Sequence, residues 1–251
     1  MAKQLGIFKV EGTIGDVTFY KSQDGFLMRE KGGLSGQRIA SDPAFIRTRE
    51  NNAEFGRAGK AGKTFRAAFR RLLQNVADSR LVSRLTKEMM RVVKADSTSL
   101  RGQRNVLDGE LELLEGFEFN IGGKLTQTLF APYIAGIDRV AGSMNIELPS
   151  FVPLQALSAP AEATHFQLVA GRAEIDFEAE SFTNDTYSSA MLPLSSASAG
   201  PLEIEFTVTA GSTKPLFLVL GVAFYQQVNG QHYSLKNGAY NALAVVKVSG
   251  V

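Results

Sequence analysis

Pro215-Leu216-Phe217-Leu218-Val219-Leu220-Gly221-Val222-Ala223-Phe224 is the longest apolar run in the chain. Ten residues fall well short of the roughly 18 consecutive apolar residues that mark a membrane-spanning helix. The run reads as a buried strand. Just before it, Leu202-Glu203-Ile204-Glu205-Phe206-Thr207-Val208 alternates strictly, as a strand with one wet face should. Further strand-like segments stand at 111–119, 125–131, 144–148, 165–169, 174–177, 216–228 and 242–248, separated by Gly, Pro, Ser and Asn clusters. Short strands at near-regular spacing predict an antiparallel β-sandwich over residues 105–251.

Upstream the texture changes. Asp42-Pro43 suits a helix start, with Asp as N-cap and Pro at the first helical position. Phe65, Ala68, Phe69, Leu72 and Val76 keep helical spacing, and so do Leu81, Leu85, Met89 and Val92. Asp78-Ser79 between them is a second capping signal. A helical region over residues 34–104 is expected, opened by a Gly-rich polar linker at 32–42. The first 33 residues read as a small β-meander. Its strands are expected around 5–10, 17–20 and 26–29, with turns at 12–16 and at Asp24-Gly25. A meander this small is marginal unless it packs on something else. The fold class is therefore α+β: β-meander, basic helical region, C-terminal β-sandwich.

The formal net charge of +2 conceals an uneven distribution. Residues 1–104 hold 21 Lys and Arg against 10 Asp and Glu, a net of +11; residues 105–251 hold 6 against 15, a net of −9. The basic residues crowd the helical region: Arg57, Lys60, Lys63, Arg66, Arg70 and then Arg80, Arg84, Lys87, Arg91 and Lys94, the last five at helical spacing. Glu174, Asp176, Glu178 and Glu180 take alternate positions of an expected strand. Three explanations stand open. The stripes are solvated faces paired within the chain; or the basic face of one copy meets the acidic face of the next; or a nucleic-acid backbone lies along the helices.

Motifs for chemistry are weak. Gly56-Arg57-Ala58-Gly59-Lys60-Ala61-Gly62-Lys63-Thr64 nearly matches a phosphate-binding loop, but Arg57 stands where the first Gly is required and no apolar strand precedes it. The spacing of Gly56, Gly59 and Gly62 instead predicts a helix face that packs closely on another backbone. His165 and His232 are the only histidines, and there is no cysteine or tryptophan. Paired carboxylates such as Asp176 and Glu178 belong to a longer acidic stripe, and the serines of 188–198 lack a nucleophile elbow. No enzyme, cofactor or metal site is expected. The N-terminus has no secretory h-region, so the cytoplasm is the expected location, with release by lysis or a phage-like particle as the other route.

The run 11–21 (Glu-Gly-Thr-Ile-Gly-Asp-Val-Thr-Phe-Tyr-Lys), Arg29-Glu30-Lys31-Gly32-Gly33, Asp42-Pro43-Ala44-Phe45 and Thr48-Arg49-Glu50-Asn51 resembles a family of uncharacterised Bacteroidota proteins. The resemblance extends through residues 56–69 and Leu235-Lys236-Asn237-Gly238-Ala239-Tyr240-Asn241-Ala242. It implies a bacterial or phage-like protein with a hairpin, basic helices and a β domain, and it brings no activity or catalytic residues. The expected function is a non-enzymatic structural protein that partners itself, first in a filament or tube and otherwise in a virion-like shell, by strand addition from the meander at 1–33 and by head-to-tail contact of the basic and acidic faces. Nucleic-acid binding by helices of 43–104 is the alternative; a carbohydrate- or peptide-binding sandwich ranks last, since no exposed aromatic cluster stands out. No membrane partner is expected.

Overall fold

The computed structural model describes residues 2–30, 33–76 and 78–250. Lys31 and Gly32, at the end of the expected meander, lie outside the described residues. The chain forms two compact units, Met1–Arg49 and Glu50–Val251.

The first unit holds strands β1 (Ala2–Lys3), β2 (Gly12–Ile14), β3 (Val17–Ser22) and β4 (Gly25–Glu30). They form one antiparallel sheet in the order β1-β4-β3-β2. Residues 5–10 are therefore not a strand: β1 ends before them and β2 begins after them. Helix α1 (Gly36–Ser41) replaces part of the expected linker, its Ser35 hydroxyl accepting from the Arg38 N–H. Asp42 caps the following 3-10 turn by accepting from the Ala44 N–H, with Pro43 at the first position as the sequence predicts. None of the described side chains in this unit is buried.

Helix α2 (Ile46–Ala68) runs from the first unit into the second. Glu54, Ala58, Ala61, Phe65 and Ala68, spaced four, three, four and three apart, are its buried line. A break at Phe69 leads to the short α3 (Arg70–Leu73), and α4 (Leu81–Ala95) follows, burying Leu81, Leu85, Met89, Val92 and Val93. The helices belong to the same compact unit as the sheets that follow. The change of net charge near residue 105 is thus not a division between compact units; the division lies at 49/50.

Two expected strands, 111–119 and 125–131, open as single helical turns, while their later residues keep strand-like pairing, Glu118 bridging antiparallel to Ala244 and Leu129 to Leu157. Residues 111–114 form a 3-10 turn burying Leu111 and Leu114, and α5 (Leu125–Thr128) buries Leu125 and Thr128. Apolar residues three apart suit a turn of helix better than a pleat. The β layers comprise β5 (Ile134–Asp138) and β6 (Ser143–Leu148), then, after the one-turn α6 (Pro153–Ala156), β7 (His165–Asp176), β8 (Ser181–Ser188), β9 (Leu192–Pro193), β10 (Leu202–Thr207), β11 (Leu216–Val228), β12 (Gln231–Ser234) and β13 (Ala242–Ser249).

β11 is the quoted apolar run. It pairs with β7 on one side and with β13 and β12 on the other, while β8 and β9 flank β7. A second antiparallel sheet has the order β10-β6-β5. The central strand is buried on both faces. Phe217 and Val219 enter a core with Phe65, Leu85 and Met89 of the helices; Leu216, Leu218, Leu220 and Val222 enter another with Ile146, Leu148 and Ile204 of the second sheet. The unit is a β-sandwich whose outer face carries the helices. Phe65 ties the layers: its ring meets Phe69, Phe217 and Phe119 at 5.2, 5.0 and 5.9 Å. Gly221 is needed where β11 and β13 meet, since a Cβ there would lie 2.4 Å from the Ala242 carbonyl.

Candidate assembly interface

Residues 5–9 form a loop closed at its base by Gln4. The Gln4 backbone N–H donates to the Phe26 carbonyl at 2.9 Å, placing Gln4 beside β4. Its side-chain amide accepts from the Val10 N–H at 2.9 Å and donates to the carbonyls of Val10 and Leu27 at 3.2 and 3.1 Å. The tip displays Leu5, Ile7 and Phe8, which are 89%, 95% and 90% exposed. Lys9 donates to the Gln4 carbonyl, and the Lys9 and Lys21 ammonium groups stand 5.9 and 5.5 Å from the Phe26 ring. Three large apolar side chains held in water on a closed loop, rimmed by cations, have the make-up of a contact patch. The alternation of Leu5 and Ile7 with Phe8 and Val10 mimics a strand, which is why the sequence predicts one.

The basic residues divide into engaged and unengaged groups. Arg57 donates to the carbonyls of Arg104 and Gly102. Arg84 donates to the carbonyls of Glu118 and Phe119, pairs with Asp78 and covers the Phe117 ring. Arg91 pairs with Glu88, and Lys60 reaches Glu180 at 3.5 Å. Arg80 precedes α4 at its N-cap. Lys87 and Lys94 are exposed on α4. Lys63, Arg66, Arg70 and Arg71 crowd the end of α2 and the start of α3 with no hydrogen-bond or ion-pair partner among the described residues.

The acidic stripe is not a strand face. β7 ends at Asp176, and Glu178 and Glu180 lie in the turn to β8. Glu174 is buried and accepts from the hydroxyls of Ser212, Thr183 and Thr209. Asp176 accepts from the N–H groups of Glu178 and Ala179, which with Lys214 hold its carboxyl below the usual range although burial opposes this. Arg57 and Lys60 line a groove together with Glu178 and Glu180. The expected basic and acidic faces therefore meet in part within one chain.

The three glycines are not a close-packing face. A Cβ on Gly56 or Gly59 would meet nothing within 4 Å, and on Gly62 it would make only ordinary contact with Leu85 at 3.7 Å. The stretch resembling a phosphate-binding loop lies wholly inside α2, where its N–H groups serve the helix. His165 and His232 meet edge to face at 4.5 Å, with His165 Nδ1 2.9 Å from the Thr164 hydroxyl. Burial, and then His232, lower the His165 pKa. Among the described residues no group of three or more His, Asp or Glu is placed to hold a metal ion.

A feature the sequence does not reveal lies on the outer face of the second sheet. Ile134, Leu148, Pro149, Pro201 and Leu202 line a groove of about 400 Å³ rimmed by Glu147 and Glu203. Glu147 and Glu203 are register partners across β6 and β10, and Ile134 stands opposite Glu147 on the other side. Glu147 accepts from the Asn145 side-chain amide at 2.7 Å, yet neither glutamate has a basic partner among the described residues. Like charges directly opposite in a ladder are destabilising. Glu203 is legible as the wet side of its alternating strand; that it faces Glu147 emerges only from the register.

Comparison of the chain with protein-family models, with curated proteins and with solved structures finds no match. No helix among the described residues is long and apolar enough to cross a membrane.

Proposed function

We propose that this chain is a non-enzymatic structural protein that assembles with copies of itself, through its N-terminal unit, into a filament, tube or virion-like shell. One observation carries the proposal. The unit Met1–Arg49 buries none of its described side chains, yet displays Leu5, Ile7 and Phe8 to water on a loop closed by Gln4. Moving such side chains out of water contributes about 1.5–3 kcal/mol each, a favourable term for association of a unit with no core of its own. The charge contacts expected from the sequence take a smaller part, because Lys60, Asp176 and Glu174 are satisfied within the chain.

The test is sedimentation velocity and negative-stain imaging of the full chain across concentration and salt. Assembly of the wild type, lost when Ile7 and Phe8 are both replaced by Asp, supports the proposal. A wild type that stays monomeric at high concentration overturns it.

A second reading, nucleic-acid binding, is favoured by the unpaired quartet Lys63, Arg66, Arg70 and Arg71. Four phosphate contacts give a slope of log affinity against log salt of about −3 to −4. No retention of a DNA or RNA probe at low salt excludes it.

A further inference from the structure

We propose that the groove of Ile134, Leu148, Pro149, Pro201 and Leu202 on one copy receives the apolar loop tip of another, with Glu147 and Glu203 facing its lysines. This rests on the self-assembly proposed above and specifies the surface that takes the N-terminal unit.

Complementarity picks this groove over the others. Its lining is apolar apart from the two glutamates, and Ile134 is 66% exposed. The loop is the mirror of that arrangement, with Leu5, Ile7 and Phe8 at the tip and Lys9 and Lys21 beside it. A lysine ammonium carries three donors, so Lys9 can keep its bond to the Gln4 carbonyl and still reach a carboxylate. A cation between Glu147 and Glu203 relieves their cross-strand repulsion, which no basic side chain among the described residues relieves. The larger cleft near β7 is a poorer host. Its Asp176 is already paired with Lys214, and its Glu112 is already bonded to the Gly250 N–H. The groove beside α4 carries cations as well as acids in its rim, among them Arg84, Lys87 and Lys124. The chosen groove also adjoins β10, which pairs with β6 alone among the described residues. An edge with unpaired N–H and C=O groups is a ready place for an arriving segment.

The experiment places a photo-reactive phenylalanine analogue at position 8 of the full chain, mixes isotopically light and heavy copies, and maps the cross-links by mass spectrometry. Light–heavy cross-links from position 8 to residues 134, 147–149 or 201–203 are expected. They should fall at least tenfold in the Glu147→Gln, Glu203→Gln double variant, whose fold is checked by circular dichroism. Cross-links that land elsewhere, or that join position 8 only to its own chain, overturn the inference. If the wild type nonetheless assembles, only the groove is wrong. If the wild type is monomeric at every concentration, the self-assembly proposal fails with it.

Discussion

The Gln4 side-chain amide satisfies both backbone groups of Val10, accepting from its N–H at 2.9 Å and donating to its carbonyl at 3.2 Å. The loop between them is shaped before it meets any partner, so binding through Leu5, Ile7 and Phe8 need not spend energy on ordering it. Gln4→Ala should release the Val10 amide to fast hydrogen exchange and weaken assembly several-fold. Gln4→Glu keeps only the accepting half and should leave that amide protected while loosening the link to Leu27. Unchanged exchange at Val10 in Gln4→Ala would show that something else shapes the loop.

Gly56 and Gly59 sit in α2 with free space where a Cβ would go. Each Gly→Ala exchange should stabilise the helix by about 1 kcal/mol, the ordinary propensity difference. Urea unfolding of the single variants, each expected to shift the midpoint upward with the slope unchanged, checks this. A fall in the midpoint would restore the close-packing role that the sequence predicts.

Asn241 is a buried node. Its Oδ1 accepts from the Phe224 N–H at 2.9 Å, its Nδ2 donates to the Asn75 carbonyl at 2.8 Å, and its own carbonyl accepts from Asn120 at 2.8 Å. Asn241→Ala leaves the buried N–H of Phe224 without its acceptor, a cost of about 1–3 kcal/mol. Chemical denaturation should show that loss.

Asp96 gives the pH dependence. Burial pushes its carboxyl up, but hydrogen bonds from the Ser99 and Asn105 N–H groups and from the Ser99 and Thr98 hydroxyls outweigh this and hold it well below the ordinary carboxylate value. A folded value below the unfolded one, about 3.9, contributes stability that is full above that pH. It is lost as pH falls from there toward the folded value. Asp96→Asn should therefore be less stable than the wild type at pH 7, with the gap narrowing below about pH 4. Urea titrations at pH 7, 5 and 3 measure it; a constant gap would assign the difference to packing alone.

The sandwich was legible wherever period and burial agree. The run centred on Val219 and the alternation around Ile204 fall in strands, and Leu81, Leu85 and Met89 fall on one helix face. Local pattern failed where two periods overlap. Leu111 with Leu114, and Leu125 with Thr128, suit a helical turn yet sit among strand-like neighbours. Glu178 and Glu180 continue the parity of Glu174 and Asp176 after the strand has ended, so parity alone invents a face. The loop and the groove were hidden for a different reason. One is closed by the tertiary bonds of Gln4 to Leu27, the other by a register between residues 147 and 203.

The first unit is built from pairings close in sequence, with β3 and β4 joined at Ser22 and Gly25, whereas the groove gathers residues from 134 to 203. During synthesis the residues of the loop leave the ribosome before those of the surface proposed to receive it. β11 gains its partner β13 later still, from residues 242–249. A nascent chain thus carries the proposed donor before its proposed acceptor, and in the proposed assembly a new copy can give its loop before it can take one.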